Sequence, residues 1–514
     1  MAMMNHATAT VKNTVVATGT QLMTLASQFT MQIVFVQTMS ANYLGANGLF
    51  NNLMNILSFA ELGIGAAITF SLYRPLANRD MELVDALLTC YRRLYGGIGF
   101  TILLLGLLLA AGLPFFVKPG LTIPHIQFMF YLYVIGTALS YFFSYARSLF
   151  IADQRAYVNN INQVGCRFIQ NIVQIVVLVV WQNYVAFLML HIGGTLLANL
   201  LINWRAKQQY PMLTWRSSQR IPETIKQKLR ENVLGNISAK VGVIVVNGTD
   251  NLLISKYLGL SVLGAYTNYA LIVQGLSSLV GQVMAAIVGV FGHIGVTESV
   301  AQQQVAYYRN LCLIALVSTV LAGGCFAVMQ DFIRLVFGPA YVLADFTVFL
   351  IVINLGFTML RQANLSFAAA LGLFWTMRYK SLIEAGVNLG TSLWLITQND
   401  LGINAVLLGN IISNLVVNFW WEPWLVFKHG FQQSAKCPLI KFTAYHVSLA
   451  GLVGAHYVCH GWIPQMGWLG LIFTGMGSVV GYSIVFILAF SCQIETRDLC
   501  KIMWRQMTGR KYLR

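Results

Sequence analysis

The chain has 514 residues, of which 57% are apolar and only 9% are charged. A soluble domain of ordinary composition carries about 25% charged residues, so this composition excludes a soluble enzyme or a soluble binding domain. The net charge of +16 does not indicate a nucleic-acid partner, because the basic residues are sorted by loop, as membrane topology requires.

Apolar stretches of about 20 residues recur along nearly the whole chain, and each is long enough to cross a hydrocarbon core of about 30 Å. These stretches are helical, because backbone groups in lipid must be satisfied within the segment and the short alternating pattern of barrel strands is missing. The pattern predicts an all-α polytopic membrane protein with about 14 transmembrane helices. In chain order they are expected at 13–39, 48–73, 92–113, 126–149, 157–180, 184–204, 233–255, 262–291, 306–329, 345–370, 378–397, 402–424, 440–460 and 467–491.

Two short phrases recur at nearly the same spacing. Tyr43-Leu44-Gly45 reappears 214 residues later as Tyr257-Leu258-Gly259, and the segment 199–204 resembles 414–419 at an offset of 215. The repetition predicts two pseudo-symmetric six-helix bundles around a central cleft, where duplicated transporters bind their substrates. The expected domains are a first bundle at 1–204, a basic cytoplasmic linker at 205–232, a second bundle at 233–430, and two additional helices with a basic cytoplasmic tail at 431–514.

The distribution of basic residues predicts the orientation. With the amino terminus inside, all but three of the 32 Lys and Arg residues lie on inward loops, termini or inner helix halves; the exceptions are Lys118, Lys256 and Arg334. Cytoplasmic loops carry such an excess. We therefore expect a multi-pass protein of the bacterial cell membrane with both termini in the cytoplasm.

Ionisable side chains at membrane depth are costly and usually face a cavity or a partner. Glu61, near the middle of the second predicted helix, fits a cavity-facing position or a packing position equally well. Lys240, Asn247 and Asn251 recur at helical spacing on the seventh predicted helix, with Asp250 beside them. We favour a cavity for this stripe, although interhelical hydrogen bonds would also satisfy it.

Two further charges lie in the inner half of the membrane. Arg361 has no obvious partner nearby in the sequence and is a candidate for contact with a phosphate, whereas Glu384 has Lys380 one helical turn away. Arg74 and Arg147 end helices at the predicted cytoplasmic mouth, where they would meet a pyrophosphate head group or simply set the orientation.

Motifs for soluble cofactors are missing. The eight cysteines include no CxxC pair, and no P-loop glycine motif is present. We therefore expect no metal, no disulfide framework and no direct use of ATP. A coupling cation, Na⁺ or H⁺, is the one small ligand besides the substrate that a transporter of this kind would need.

Four segments resemble the oligosaccharide or O-antigen-type polysaccharide-biosynthesis flippases of bacteria. They are ELGIGAA at 61–67, SLYRPLA at 71–77, VNGTDNLLIS at 246–255 and GAYTNY at 264–269. These flippases belong to the multidrug/oligosaccharidyl-lipid/polysaccharide (MOP) exporter superfamily, and the branch resembled is common in capsule and exopolysaccharide clusters.

The resemblance implies a transporter and not an enzyme. It would move undecaprenyl-pyrophosphate-linked oligosaccharide repeat units from the inner to the outer leaflet by alternating access, alongside the polymerase and glycosyltransferases of its pathway. It brings no catalytic residue; the substrate-path candidates are Glu61, Lys240, Asn247, Asp250, Asn251, Arg361 and Glu384. The alternatives are a cation-coupled multidrug or metabolite antiporter of the same fold and, against the short outward loops, a membrane glycan polymerase or ligase.

Overall fold

A computed structural model shows a chain built from helices and short loops, with no strand among the residues that it describes. Those residues are 2–58, 64–119, 123–153, 155–217, 219, 221–223, 227, 248–373, 376–398, 400–460 and 467–507. The fold is therefore all-α, as the hydropathy pattern predicts.

The chain forms two compact units, Met1–Gly264 and Ala265–Arg514. The helices of the first unit are α1 (Ala2–Thr38), α2 (Ala41–Leu57), α3 (Ile64–Ala77), α4 (Met81–Ala111), α5 (Ile126–Phe142), α6 (Ala146–Ala152), α7 (Ala156–Trp181) and α8 (Tyr184–Gln209). Residues 248–253 are also helical and continue into a π-helical turn, Ile254–Leu258. Helix α9 (Leu260–Thr297) begins in the first unit and runs into the second.

The second unit continues with long helices. They are α10 (Val300–Val336), α11 (Asp345–Ala370), α12 (Arg378–Gln398), α13 (Ile403–Phe431), α14 (Lys436–His460), α15 (Trp468–Ala489) and α16 (Ile494–Met507). Helix α13 is continuous but contains two π-helical stretches, Asn414–Asn418 and Val426–Phe431.

The helix bounds agree closely with several predicted spans, and α11 matches the prediction of 345–370 residue for residue. In the described part of the chain, seven helices are long and apolar enough to cross a membrane, or eight if one bent pair counts as a single span. The predicted total of about 14 is therefore not confirmed. The seventh predicted helix, 233–255, lies mostly outside the described residues.

One predicted helix is broken. The expected span 126–149 consists of α5 and α6, whose axes differ by 51°. The chain leaves the helix at Phe143, and α6 begins again at Ala146. A break at this depth needs partners for the backbone carbonyls that it exposes, and these come from α8, as described below.

Glycines from the repeated phrase have different roles in the two copies. A Cβ on Gly45 of α2 would lie 1.9 Å from the carbonyl oxygen of Leu260, so only glycine allows this approach to the start of α9. Gly259, at the matching place in the second copy, has a φ of 99° and turns the chain from the π-helical turn into α9. The glycine of the repeated Tyr-Leu-Gly phrase thus allows close helix packing in the first copy and a turn with positive φ in the second.

The beginning of the basic linker packs onto the first unit. Asp85 of α4 accepts hydrogen bonds from the backbone N–H of Thr214 at 3.1 Å and of Trp215 at 2.7 Å, and from the Thr214 hydroxyl. These bonds hold Trp215 at a positive φ of 61°, with its ring 5.8 Å from that of Tyr145. Residues 210–217 are therefore part of the first unit.

Candidate functional site

Four charged side chains from three helices meet inside the second unit. We call Arg361 of α11, Lys380 and Glu384 of α12, and Glu422 of α13 the charge cluster. Arg361 donates to Glu422 Oε1 from Nη2 at 2.8 Å and from Nε at 3.1 Å, and to Glu384 Oε1 from Nη1 at 3.1 Å. Lys380 Nζ lies 2.6 Å from Glu422 Oε1 and 3.6 Å from Glu384 Oε2. The two positive and two negative charges balance.

The cluster is almost closed to solvent. The exposed side-chain fractions are 0% for Glu422, 3% for Lys380, 12% for Glu384 and 14% for Arg361. Burying a charge in a membrane protein is costly unless it is paired. Because each charge here has at least one opposite partner, the cluster binds α11, α12 and α13 to one another.

The shape of α13 places Glu422 in this cluster. The two π-helical stretches flank it, and Pro423, the next residue, has no backbone N–H to continue the α-helical ladder. Such turns within helices often occur at functional positions. Glu422 Oε2 is buried and has no hydrogen-bond partner among the described residues, so one carboxylate oxygen of the cluster has unused acceptor capacity.

An arginine occupies the equivalent position in the first unit. Arg147 and Arg361 are 214 residues apart, the offset of the repeated Tyr-Leu-Gly phrase. Arg147 donates to Asn199 Oδ1 of α8, and Gln163 of α7 accepts from it at 2.9 and 3.2 Å when the amide oxygen faces the guanidinium. Arg147 thus donates to amide oxygens, whereas Arg361 donates to carboxylates.

Asparagines of α8 stabilise the break between α5 and α6. Asn199 donates from Nδ2 to the carbonyl of Ser140 at 2.9 Å, and Asn203 donates to the carbonyl of Phe143 at 2.8 Å. The asparagine amides replace the backbone donors that α5 lacks at its end. In the second unit α11 is continuous, and the equivalent Asn418 instead donates to Glu384 of the charge cluster at 2.6 Å.

Tyrosine hydroxyls of α5 and α8 also donate to asparagines of α2 within the first unit. The Tyr133 hydroxyl of α5 donates to Asn51 of α2 at 2.5 Å, and the Tyr184 hydroxyl of α8 donates to Asn47 at 3.2 Å. Asn51 is exposed on α2, about three turns from its start. An exposed amide in a membrane-embedded helix is satisfied by water and not by lipid.

Of the remaining predicted residues, three lie in the described part of the chain and three do not. Asp250 and Asn251 are half-buried on the helical segment 248–253, which packs against α2 through Gly248 and Ile56. Arg74 is exposed in the last turn of α3. Glu61, Lys240 and Asn247 lie outside the described residues.

The structure therefore brings Arg361 and Glu384 together within the second unit, whereas Arg74, Arg147, Asp250 and Asn251 belong to the first unit. Sequence reasoning gave Arg361 no partner and missed Glu422. The repeat offset would have found the pair Arg147 and Arg361, but no spacing rule points to Glu422. Within the part of the chain that the structure describes, no three His, Cys, Asp or Glu side chains are grouped as metal ligands.

No protein-family model matches the sequence, and no curated protein matches it either. Solved structures do match the fold. The lipid II flippase MurJ in an inward closed conformation has a TM-score of 0.63 at 12% identity, and the match covers 93% of this chain and 99% of that one. An inward-facing multidrug resistance MATE transporter of the MOP superfamily has a TM-score of 0.59 at 15% identity, covering 82% and 96%.

A MOP superfamily transporter from Pyrococcus furiosus matches with a TM-score of 0.53 at 14% identity, covering 83% of this chain and 96% of that one. At these identities the likeness concerns the fold alone. The chain has the fold of the MOP superfamily transporters, a multi-span helical membrane fold.

Proposed function

We propose that this protein is a flippase that moves undecaprenyl-pyrophosphate-linked oligosaccharide repeat units from the inner to the outer leaflet for capsule or exopolysaccharide synthesis. The coverage of the structural match carries the proposal. The lipid II flippase covers 93% of this chain, whereas the MATE multidrug transporters cover 82% to 85%.

The three parts of such a substrate would require three environments. Its glycan presents hydroxyls, which the exposed Asn51 and its partner Tyr133 suit as donors and acceptors. Its diphosphate needs positive charge, for which Arg74, Arg147 and Lys240 are our candidates. Its prenyl chain would remain in lipid. We assign Arg361 no direct role with the diphosphate, because Glu384 and Glu422 already balance its charge.

Transport would proceed by alternating access of the two repeated halves. The membrane potential favours outward movement of an anionic head group, by about 2.3 kcal/mol per charge per 100 mV. A coupling cation, Na⁺ or H⁺, would add a second source of free energy. In the cell, the polymerase and the glycosyltransferases of the same pathway would be its partners at the cytoplasmic membrane.

The test uses sealed proteoliposomes with lipid-linked oligosaccharide confined to one leaflet. An impermeant sugar-modifying enzyme would score the glycan that reaches the other leaflet. We expect modification to depend on the protein and to require both glycan and diphosphate in the lipid. Arg74→Gln should slow the initial rate severalfold, whereas Arg216→Gln, an exposed linker arginine, should leave it unchanged.

Absence of flipping with several such lipids would contradict the proposal. Ion-coupled efflux of small organic cations from the same vesicles would then favour the second candidate, a multidrug antiporter. The MATE match, with its TM-score of 0.59, is the observation that keeps this candidate open.

A further inference from the structure

Three polar side chains in the first unit form a hydrogen-bonded chain that starts at a backbone carbonyl. Gln174 of α7 donates from Nε2 to the carbonyl oxygen of Phe187 at 2.9 Å. Its Oε1 accepts from Gln170 Nε2 at 3.2 Å, and that same nitrogen lies 3.1 Å from His191 Nδ1 of α8. Because a carbonyl can only accept, the Phe187 oxygen fixes the direction of every bond in the chain.

The direction of the chain determines the protonation state of the histidine. The Gln170 amide has two hydrogens, one for Gln174 and one for His191, so Nδ1 must accept. The imidazole is then neutral, with its proton on Nε2. A proton bound at Nδ1 would place two donors face to face. Turning the Gln170 amide would relieve that conflict, but Gln170 Oε1 would then take the place of Nε2 and face Gln174 Oε1, so that two acceptors would oppose each other.

The Gln170 amide also has little room to move. A Cβ on Gly194 of α8 would lie 2.2 Å from Gln170 Oε1, so the amide fits against α8 only because residue 194 is glycine. The His191 ring stacks on Tyr133 of α5 at 6.1 Å with an angle of 20° between the planes. Tyr133 in turn donates to Asn51 of α2. A change at His191 is therefore transmitted to α2, α5 and α7.

The groups around His191 are mostly uncharged. Arg167, almost one turn before Gln170 on α7, is, among the described residues, a charged group that acts on the imidazole. Tyr133 faces the ring from α5, and Tyr184 lies about two turns away on α8 itself. Helix α2 contributes Asn51. A proton on the imidazole would thus add a positive charge that these groups do not balance.

His191 is exposed although it lies within a membrane-length helix. It is seven residues from the start of α8, and Tyr133 is seven residues from the start of α5, which places both about 10 Å inside those helix ends. An exposed imidazole at this depth indicates water. With the termini inside, as the basic residues predict, this water would connect to the outer side, from which protons enter.

We propose that His191 is the proton-binding group through which transport is coupled to the proton gradient. Protonation at Nδ1 displaces Gln170 and weakens the contacts of α8 with α5 and α7; release of the proton restores them. The inference rests on the proposed transport function and deepens it, because it names the coupling ion and its site.

Hydrogen–deuterium exchange of the full chain in lipid nanodiscs tests the site without transport. Exchange within α5, α7 and α8 should increase severalfold between about pH 8 and about pH 4, after correction for intrinsic rates, as the imidazole takes up its proton. His191→Gln should abolish the increase, and His429→Gln, which changes an exposed histidine of α13, should retain it. A response that persists in His191→Gln, or no response in the unmodified protein, would overturn the proposal.

A second variant keeps the test decisive should His191→Gln fold poorly. Gln170→Glu provides an acceptor for the protonated ring, so the midpoint of the exchange transition should rise by about one pH unit or more. An unchanged midpoint would count against the site. Flipping of the glycolipid without any pH response would refute the proton site alone. A pH response in a protein that fails to flip would refute the proposed function and leave the proton site standing.

Discussion

At the scale of single residues, the charge cluster shows that the role of Arg361 depends on side chains that are distant in the sequence. The i,i+4 spacing predicted the pairing of Lys380 with Glu384, and the two charged groups lie 3.6 Å apart. Arg361 has partners 23 and 61 residues away, which no local pattern reveals. Its chemistry therefore became clear only when the structure placed Glu422 beside it.

The first prediction concerns the stability of this cluster. Arg361→Gln leaves Glu422 and Glu384 with only Lys380 as a cationic partner. Breaking a buried ion pair in this way costs about 3–5 kcal/mol, so we expect a large loss in the free energy of unfolding. Arg309→Gln breaks a pair with Asp498 in which the arginine side chain is 49% exposed, and it should cost less than about 1 kcal/mol. Thermal unfolding in detergent measures both.

A double variant separates charge balance from packing. Arg361→Met combined with Glu422→Met removes one charge of each sign and leaves Lys380 beside Glu384. We expect it to be more stable than Arg361→Gln, because apolar replacement of a whole buried pair is often neutral. If the double variant loses as much stability as the two single changes together, charge balance is not what the cluster provides.

At the scale of elements, the repeated asparagines explain why one helix breaks and its counterpart does not. The sequence shows the recurrence of Asn199 and Asn203 as Asn414 and Asn418. It does not show that the first pair stabilises carbonyls at the end of α5 and that Asn418 contacts Glu384. Hydropathy predicted one span at 126–149 because the apolar stretch continues across the break, and apolar character carries no information about a bend.

The second prediction tests the support of this break. Asn203→Leu removes the donor to the Phe143 carbonyl, and a buried carbonyl without a partner costs about 1–3 kcal/mol. We expect a lower unfolding temperature and faster hydrogen exchange in α6. Thr101→Val, which removes an exposed hydroxyl bonded within α4, is the control. Equal effects of the two changes would show that the asparagine does not support the break.

The third prediction concerns the approach of α2 to α9. Gly45→Ala places a methyl group 1.9 Å from the Leu260 carbonyl oxygen, and backbone cannot yield as a side chain can. We expect the folded protein to be lost or strongly destabilised, as judged by monodisperse yield and unfolding temperature. Gly97→Ala in α4 has nothing within 4 Å of the new Cβ and should be tolerated. A well-folded Gly45→Ala variant would contradict this close approach of α2 to Leu260.

At the scale of the whole molecule, hydropathy predicts those features that depend on whether a segment lies in lipid or in water. The helical fold and the approximate spans follow from apolar length, whereas the MOP-type fold was implied by the resemblance of four short segments; the structural matches agree with this fold. The site depends instead on which side chains meet after folding. Asp85, which lies between the predicted helices 48–73 and 92–113, holds the linker through backbone groups of residues 214 and 215, which sequence patterns do not specify.

The last prediction tests the orientation with cysteines that the chain already contains. Cys437 and Cys459 are both exposed and lie at opposite ends of α14, about 33 Å apart along the helix. With both termini in the cytoplasm, an impermeant thiol reagent added to intact cells should modify Cys459 and spare Cys437 and the exposed Cys492. Permeabilisation should then allow Cys437 and Cys492 to react. The variants Cys459→Ser and Cys437→Ser identify which cysteine gives each signal. A reversed labelling pattern would place both termini outside the cell and would reverse the proposed direction of flipping.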